Sequence, residues 1–218
     1  MNYKFRSSFN LPTTMTGLRA RQKAGRRRDI LDAAATLFKR DGFTAASIEQ
    51  IAERAELSAG TLYNYFPSKG DLLLALVALD GQEVRAAGAA LVAAPPADPI
   101  KAVCRLLEIY VDHSLVHLDK RLWRQMMANA LAFADTALGA GYRDLDRMLA
   151  EQLSDLCRAL QLDRRIPRRV DCEDAGQALF FVCNALFMEF VADDAMPLAR
   201  MKDRMFRQVH LLFDGLLD

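Results

Sequence analysis

Apolar residues at Ile30, Leu31, Ala34, Leu37 and Phe38 recur at i, i+1, i+4, i+7 and i+8, the spacing that lines one face of a helix. Lys39 and Arg40 form a basic last turn, and Gly42 follows where a left-handed residue ends a helix. Ser47, with Gln50 three residues on, opens a second helix through a capping box, and Ile48, Ile51, Ala52 and Ala55 are its buried stripe. Ser58 is the next N-cap, for a short helix anchored by Leu62 and Phe66. Pro67 breaks the chain, and Ser68 with Asp71 caps a fourth helix that runs to about Ala93, where the segment APPADP marks a boundary. Beyond it the pattern predicts five long helices, near 98–117, 119–134, 140–160, 172–192 and 197–216. Turn signals at Asp119, Gly139 to Gly141, Pro167 and Met196-Pro197 separate them. No run alternates apolar and polar residues, so the expected fold class is all-α with about nine helices.

The stretch LSAGTLYNYFPSKGDLL, residues 57–73, carries chemistry that a core helix does not need. At 100° per residue, Leu62 and Phe66 point one way, while Gly60 and Asn64 point almost opposite, flanked by Thr61 and Tyr63. A small polar outer face suits a helix pushed into a groove, where hydroxyls and amides meet phosphates or base edges. Two short helices joined by a tight turn, the second bearing that face, make a helix-turn-helix.

Charge supports this placement. The net charge is only +1, but residues 1–75 hold twelve Lys/Arg against seven Asp/Glu, and the first forty hold ten against two. A basic end on a near-neutral body suits a polyanionic partner. Residues 1–25 show turn residues and charges without periodicity, so they are expected to form a flexible basic arm, with order beginning near Arg26. Met15, just before the basic cluster, is a second candidate start. Arg26, Arg27 and Arg28 at the end of that arm could reach phosphate or the minor groove.

Hydrophobic residues make up 52% of the 218, enough for a sizeable core. Cys104, Cys157, Cys172 and Cys183 stand far apart, which favours reduced thiols over disulfides or zinc. The longest uncharged run, Ala175 to Met188, is too short to span a bilayer, and no signal-peptide pattern begins the chain. A soluble cytoplasmic protein that does not engage a membrane is therefore expected.

The segment FKRDGFTAASIEQIAERAELSAGTLYNYFPSKGDLL resembles the DNA-binding signature of the TetR (tetracycline-repressor-like) regulators. F-x-x-x-G-F, I-x-x-I-A, S-x-G-T-L-Y-x-Y-F and S-K-x-x-L occur in order and at the family's spacing. The resemblance implies a homodimer whose third helix enters the major groove of a double-stranded operator. It places Ala59, Gly60, Tyr63 and Asn64 nearest the bases, and Ser47, Thr61, Tyr65 and Lys69 on phosphates. It divides the chain into an arm (1–25), a DNA-binding domain (26–72) and a helical effector-binding and dimerisation domain (73–218). Two residues depart from the family: Glu56 stands where glycine is frequent at the turn, and Ala59 where a longer polar side chain is common.

The resemblance also implies that the last two helices pair with those of a second subunit. Phe180, Phe181, Phe190, Leu186 and Phe187 make one of them strongly apolar, and Met201, Met205, Phe206, Val209, Leu212 and Phe213 line the other. Excess apolar surface of this kind is either core or an oligomer interface. The candidates for an effector pocket are Tyr110, His113, Trp123, Met126, Met127, Asn129, Phe133, Met148 and Phe187, soft and aromatic side chains suited to an apolar small molecule. His113 and His117 lie one turn apart and could hold a metal only with a third ligand such as Asp112 or Asp119, so no metal or cofactor is expected. GAGYRD at 139–144 lacks the third glycine of a dinucleotide loop, and no nucleophile, zinc-protease or Walker pattern is present, which disfavours an enzyme. A transcription repressor released by an effector is the leading reading. The alternative is an effector-independent DNA-binding protein acting through architecture or protein partners.

Overall fold

In the computed structural model, residues 13–217 are described, and among them every regular element is an α-helix. They are α1 (Thr13–Asp41), α2 (Ile48–Arg54), α3 (Ala59–Tyr63), α4 (Lys69–Ala93), α5 (Pro99–His117), α6 (Lys120–Ala132), α7 (Ala137–Leu162), α8 (Cys172–Ala192) and α9 (Leu198–Leu217). Apart from the start of α1, the first four begin and end close to their sequence signals. Gly42 sits at φ +90° with its amide donating to Phe38 O at 2.9 Å. Ser47 Oγ accepts from the Gln50 amide at 3.2 Å while Gln50 Oε1 accepts from the Ser47 amide at 2.9 Å, a complete capping box. Ser58 and Ser68 cap α3 and α4 through the amides of Thr61 and Asp71.

One boundary differs. Helix α1 begins at Thr13, well before Arg26, so residues 13–25 of the expected arm continue the helix, with Leu18 and residues 20–25 exposed. Residues 1–12 of that arm lie outside the described residues.

Helices α1–α3 close around Ile30, Phe38, Ile51, Leu62 and Phe66, all 2% exposed or less. Glu56, in the turn between α2 and α3, adopts φ 56°, the left-handed region, which costs a residue with a Cβ about 1 kcal/mol. This head is joined to the body by α4, whose first turns pack under α1 and whose later turns lie along α5 and α7. Three further ties cross the junction. Arg121 of α6 donates to Lys39 O (2.9 Å) and Phe38 O (3.3 Å), capping the end of α1. Lys39 reaches the Val116 carbonyl at the end of α5. Arg28 of α1 meets Glu83 of α4 at 3.1 Å.

The body packs α7 against both α4 and α8, with α9 on α8 and α5. Helix α8 is long and apolar enough to cross a membrane, but it is half buried between α7 and α9, the position of a core helix. The four cysteines are unpaired and buried.

Candidate nucleic-acid interface and interior cavity

Helix α3 is short and held at its start by Ser58, whose hydroxyl also meets Thr61 Oγ1 at 2.9 Å. Leu62 is fully buried, which fixes the opposite face outward: Gly60 and Asn64 are exposed, and Tyr63 is 47% exposed. A Cβ built on Gly60 would meet nothing within 4 Å, and its φ is not positive. Nothing inside the protein therefore calls for glycine here, although glycine in a helix costs about 0.5–1 kcal/mol relative to alanine. Ala59 and Tyr65 are half-buried against the head's core, so they border the outer face rather than lead it. Ser47 is half-buried, and its hydroxyl oxygen caps α2 by accepting from the Gln50 amide. Arg26, Arg27 and Arg28 are exposed on α1; Arg27 lies over the Phe66 ring at 4.5 Å and Arg28 is turned toward Glu83.

Lys69 corrects an expectation. Its ammonium donates to Phe43 O (2.8 Å), Thr44 O (3.0 Å) and Ala46 O (3.0 Å), so all three protons are taken by the α1–α2 loop. It is an internal tie that fixes this loop to the start of α4, not a free phosphate anchor.

A partly open cavity of about 60 Å³ lies in the body between α4, α5, α6, α7 and α8. Four of the expected residues line it: Tyr110, Trp123, Met127 and Phe187. Trp123 donates its Nε1–H to Ser114 O at 2.7 Å and stands edge-on to Phe187 at 5.3 Å. Tyr110 donates to Gln152 Oε1 at 2.9 Å. The other five lie elsewhere. His113 faces α4, 3.4 Å from Asp80 Oδ1, and stands behind the wall. Met126 is packed in the core, Asn129 is half-exposed, and Phe133, at the C-cap of α6 where the backbone leaves helical angles, is 59% exposed. Met148 lays its methyl against Gly81 of α4. Sequence reasoning missed Asp80, Tyr142, Asp146, Phe180 and Asn184 in the wall. The acidic residues at 80 and 146, each inside an otherwise apolar helix face, were the available signal.

His113 and His117 are each held by a carboxylate of α4, Asp80 and Glu83. Asp112 instead pairs with Lys202, and Asp119 caps α6 through the Leu122 amide at 2.8 Å. Among the described residues no group of three or more His, Cys, Asp or Glu is placed to hold a metal ion.

The expected dimer residues also need correction. Phe180 lines the cavity, Phe190 lies under the Lys120 ammonium at 3.9 Å, and Met205, Val209 and Phe213 are 1% exposed or less. These five complete the protomer's own core, because α8 and α9 pack on each other, with Cys183 Sγ 3.6 Å from Met205 Sδ. Phe181 alone of the six points outward, 63% exposed, and Met188 (46%) and Leu211 (72%) join it as exposed apolar side chains of α8 and α9.

Residues 30–76 match the family of bacterial regulatory proteins known as the tetR family. Over 136 residues the chain is 30% identical to the HTH-type transcriptional repressor KstR of Rhodococcus jostii, a match covering 60% of each protein. The chain thus spans under two thirds of that curated relative's length. A TetR transcription regulator of Haloarcula marismortui superposes with a TM-score of 0.73 at 16% identity, over 89% of this chain and all of that one. The TetR-family repressor FadR of Thermus thermophilus, solved in complex with lauroyl-CoA, gives 0.59 at 21%, over 84% and 93%. These structural likenesses speak for the fold, and the match of residues 30–76 makes the head similar to the DNA-binding part of the tetR family of bacterial regulatory proteins.

Proposed function

We propose that this chain is a sequence-specific transcriptional regulator, a repressor that binds a double-stranded operator as a homodimer and releases it when a small molecule enters the body. The observation that carries the reading is the outer face of α3: Gly60 unneeded by any internal contact, with Tyr63 and Asn64 outward beside it and basic α1 nearby. Such a face fits the major groove, with Asn64 offering an amide to a base edge. The outward Phe181, Met188 and Leu211 supply an apolar start for a two-fold interface between α8 and α9 of two copies. A regulator of this kind works in the cytoplasm, where the DNA is.

Release follows from how the head is attached. Asp80 and Val84 of α4 line the cavity, and the same helix begins at Lys69, which is tied to the α1–α2 loop of the head. The cavity is smaller than the roughly 300–1,000 Å³ typical of ligand pockets. A ligand must therefore part the helices around it, and it favours the parted state by its difference in affinity for the two. The same small volume favours the second reading, a filled body with no effector.

Fluorescence anisotropy on DNA from upstream of the gene tests the proposal. Tight binding that weakens steeply with salt, and an Asn64→Ala variant with relaxed sequence preference, are expected. Binding at only the non-specific level, there and in a genome-wide site selection, refutes it. Operator affinity unmoved across a broad ligand screen selects the effector-free reading.

A further inference from the structure

The cavity wall has a charge pattern that an apolar pocket does not need. Asp80, on α4, has a side chain 4% exposed, and its one polar contact is the long 3.4 Å approach of His113 to Oδ1. No hydrogen bond reaches Oδ2. No fully buried side-chain oxygen among the described residues lacks a partner, so Oδ2 keeps some access to the cavity that Asp80 lines. Asp146 of α7 stands in the same wall without a hydrogen-bond donor, and burial alone pushes its carboxyl up to about 6. Burial likewise drives the Asp80 carboxyl above its ordinary range, against the opposing pull of His113. No lysine, arginine or histidine lines the cavity among the described residues, while the rings of Trp123, Phe180 and Phe187 do. Carboxylates and aromatic faces in a lining with no basic side chain, His113 standing behind Asp80, make a receptor for an organic cation.

We infer that the effector is a lipophilic amine or related organic cation, its charged nitrogen met by Asp80 and Asp146 and its apolar part laid against Trp123 and Phe187. This rests on the effector reading above and narrows it. It also separates this chain from the lauroyl-CoA complex of the Thermus protein, since an anionic ligand would meet two carboxylates in the cavity wall here.

Matched probes of one shape and three charges test the assignment on the full chain: 4-phenylbutylamine, 4-phenylbutanol and 4-phenylbutyrate. Calorimetry gives affinities, and Trp123, the single tryptophan, reports entry into the cavity by its fluorescence. The amine should bind at least ~tenfold more tightly than the alcohol, and the carboxylate more weakly than either. Asp80→Asn should remove most of the amine's advantage. Asp146→Asn, at the half-buried part of the wall, keeps the test usable if the first variant does not fold, and should reduce the advantage in the same direction. Equal affinity across the three probes, no Trp123 response to any of them, or an amine preference unchanged in both variants overturns the inference. Operator release is read separately. Amine binding without release supports the ligand class and defeats the effector reading, whereas release by the alcohol or carboxylate without amine preference does the reverse.

Discussion

His117 Nε2 lies 2.8 Å from Glu83 Oε2, and the other oxygen of that carboxylate holds the Arg28 guanidinium at 3.1 Å. One side chain of α4 therefore joins α5 of the body to α1 of the head. The His117 hydrogen bond, helped by the charges of His117 and Arg28, holds the Glu83 carboxyl below its usual value of 4.5. A carboxyl depressed in the folded state stabilises above its unfolded value, and that contribution is lost as pH falls through the folded one. Glu83→Gln should lower stability at pH 7 by no more than about 1 kcal/mol, because the cluster is partly solvated. Thermal melts of both proteins should differ at pH 7 and converge as pH drops below 4.5.

Lys69 separates a structural role from a DNA-contacting one. Removing its ammonium leaves three loop carbonyls without their donor. Lys69→Ala should cost about 2 kcal/mol or more in urea unfolding, since hydrogen bonds to charged groups are worth about 1.5–3 kcal/mol. The salt dependence of DNA binding by the folded variant should stay unchanged. A log–log slope shallower by about 0.9 would instead mark a lost phosphate contact.

How far the sequence could be read depends on whether local or tertiary forces decide each feature. Caps are local: Ser47, Ser58 and Ser68 each accept from an amide three residues away, and the helix starts they predict are present. The outward face of α3 follows from helical period once Leu62 and Phe66 are taken as buried, as they are. Long-range partners leave no such trace. Nothing near Lys69 in the chain reveals that it faces the carbonyls of 43–46, or that Phe190 is covered by Lys120. The apolar residues of α8 and α9 were legible as buried, but the pattern does not say whether the covering surface is the same chain or a second one. Phe180 and Phe181 show the limit, adjacent in sequence with one in the cavity wall and the other in solvent.

Gly60 lets stability and DNA binding be pulled apart. A methyl group at this position meets nothing in the protein, so Gly60→Ala should stabilise α3 by roughly 0.5–1 kcal/mol. If glycine serves close approach to DNA, the same variant should bind its operator at least several-fold more weakly. Chemical denaturation and anisotropy on one preparation read both effects. A variant that is more stable and binds equally well would remove the close-approach argument.

Asp146 offers a test of whether the acidic wall is kept at the expense of stability. Its carboxyl is raised from 3.8 to about 6 by burial, so the folded protein holds that proton more strongly than the unfolded chain. Stability from this group is therefore highest below pH 3.8, falls as pH rises to about 6, and is lowest above it. The full shift corresponds to a ceiling of ~3 kcal/mol, and the half-buried position reduces this to about 1 kcal/mol. Asparagine never ionises, so Asp146→Asn should melt about 2–4 °C higher than the parent at pH 7.5, with the gain disappearing near pH 3.5. A stability gain at neutral pH together with weaker binding of 4-phenylbutylamine would show that this carboxylate opposes folding and serves the ligand. A destabilised variant at pH 7.5 would mean that Asp146 has a stabilising partner and that its charge belongs to the fold.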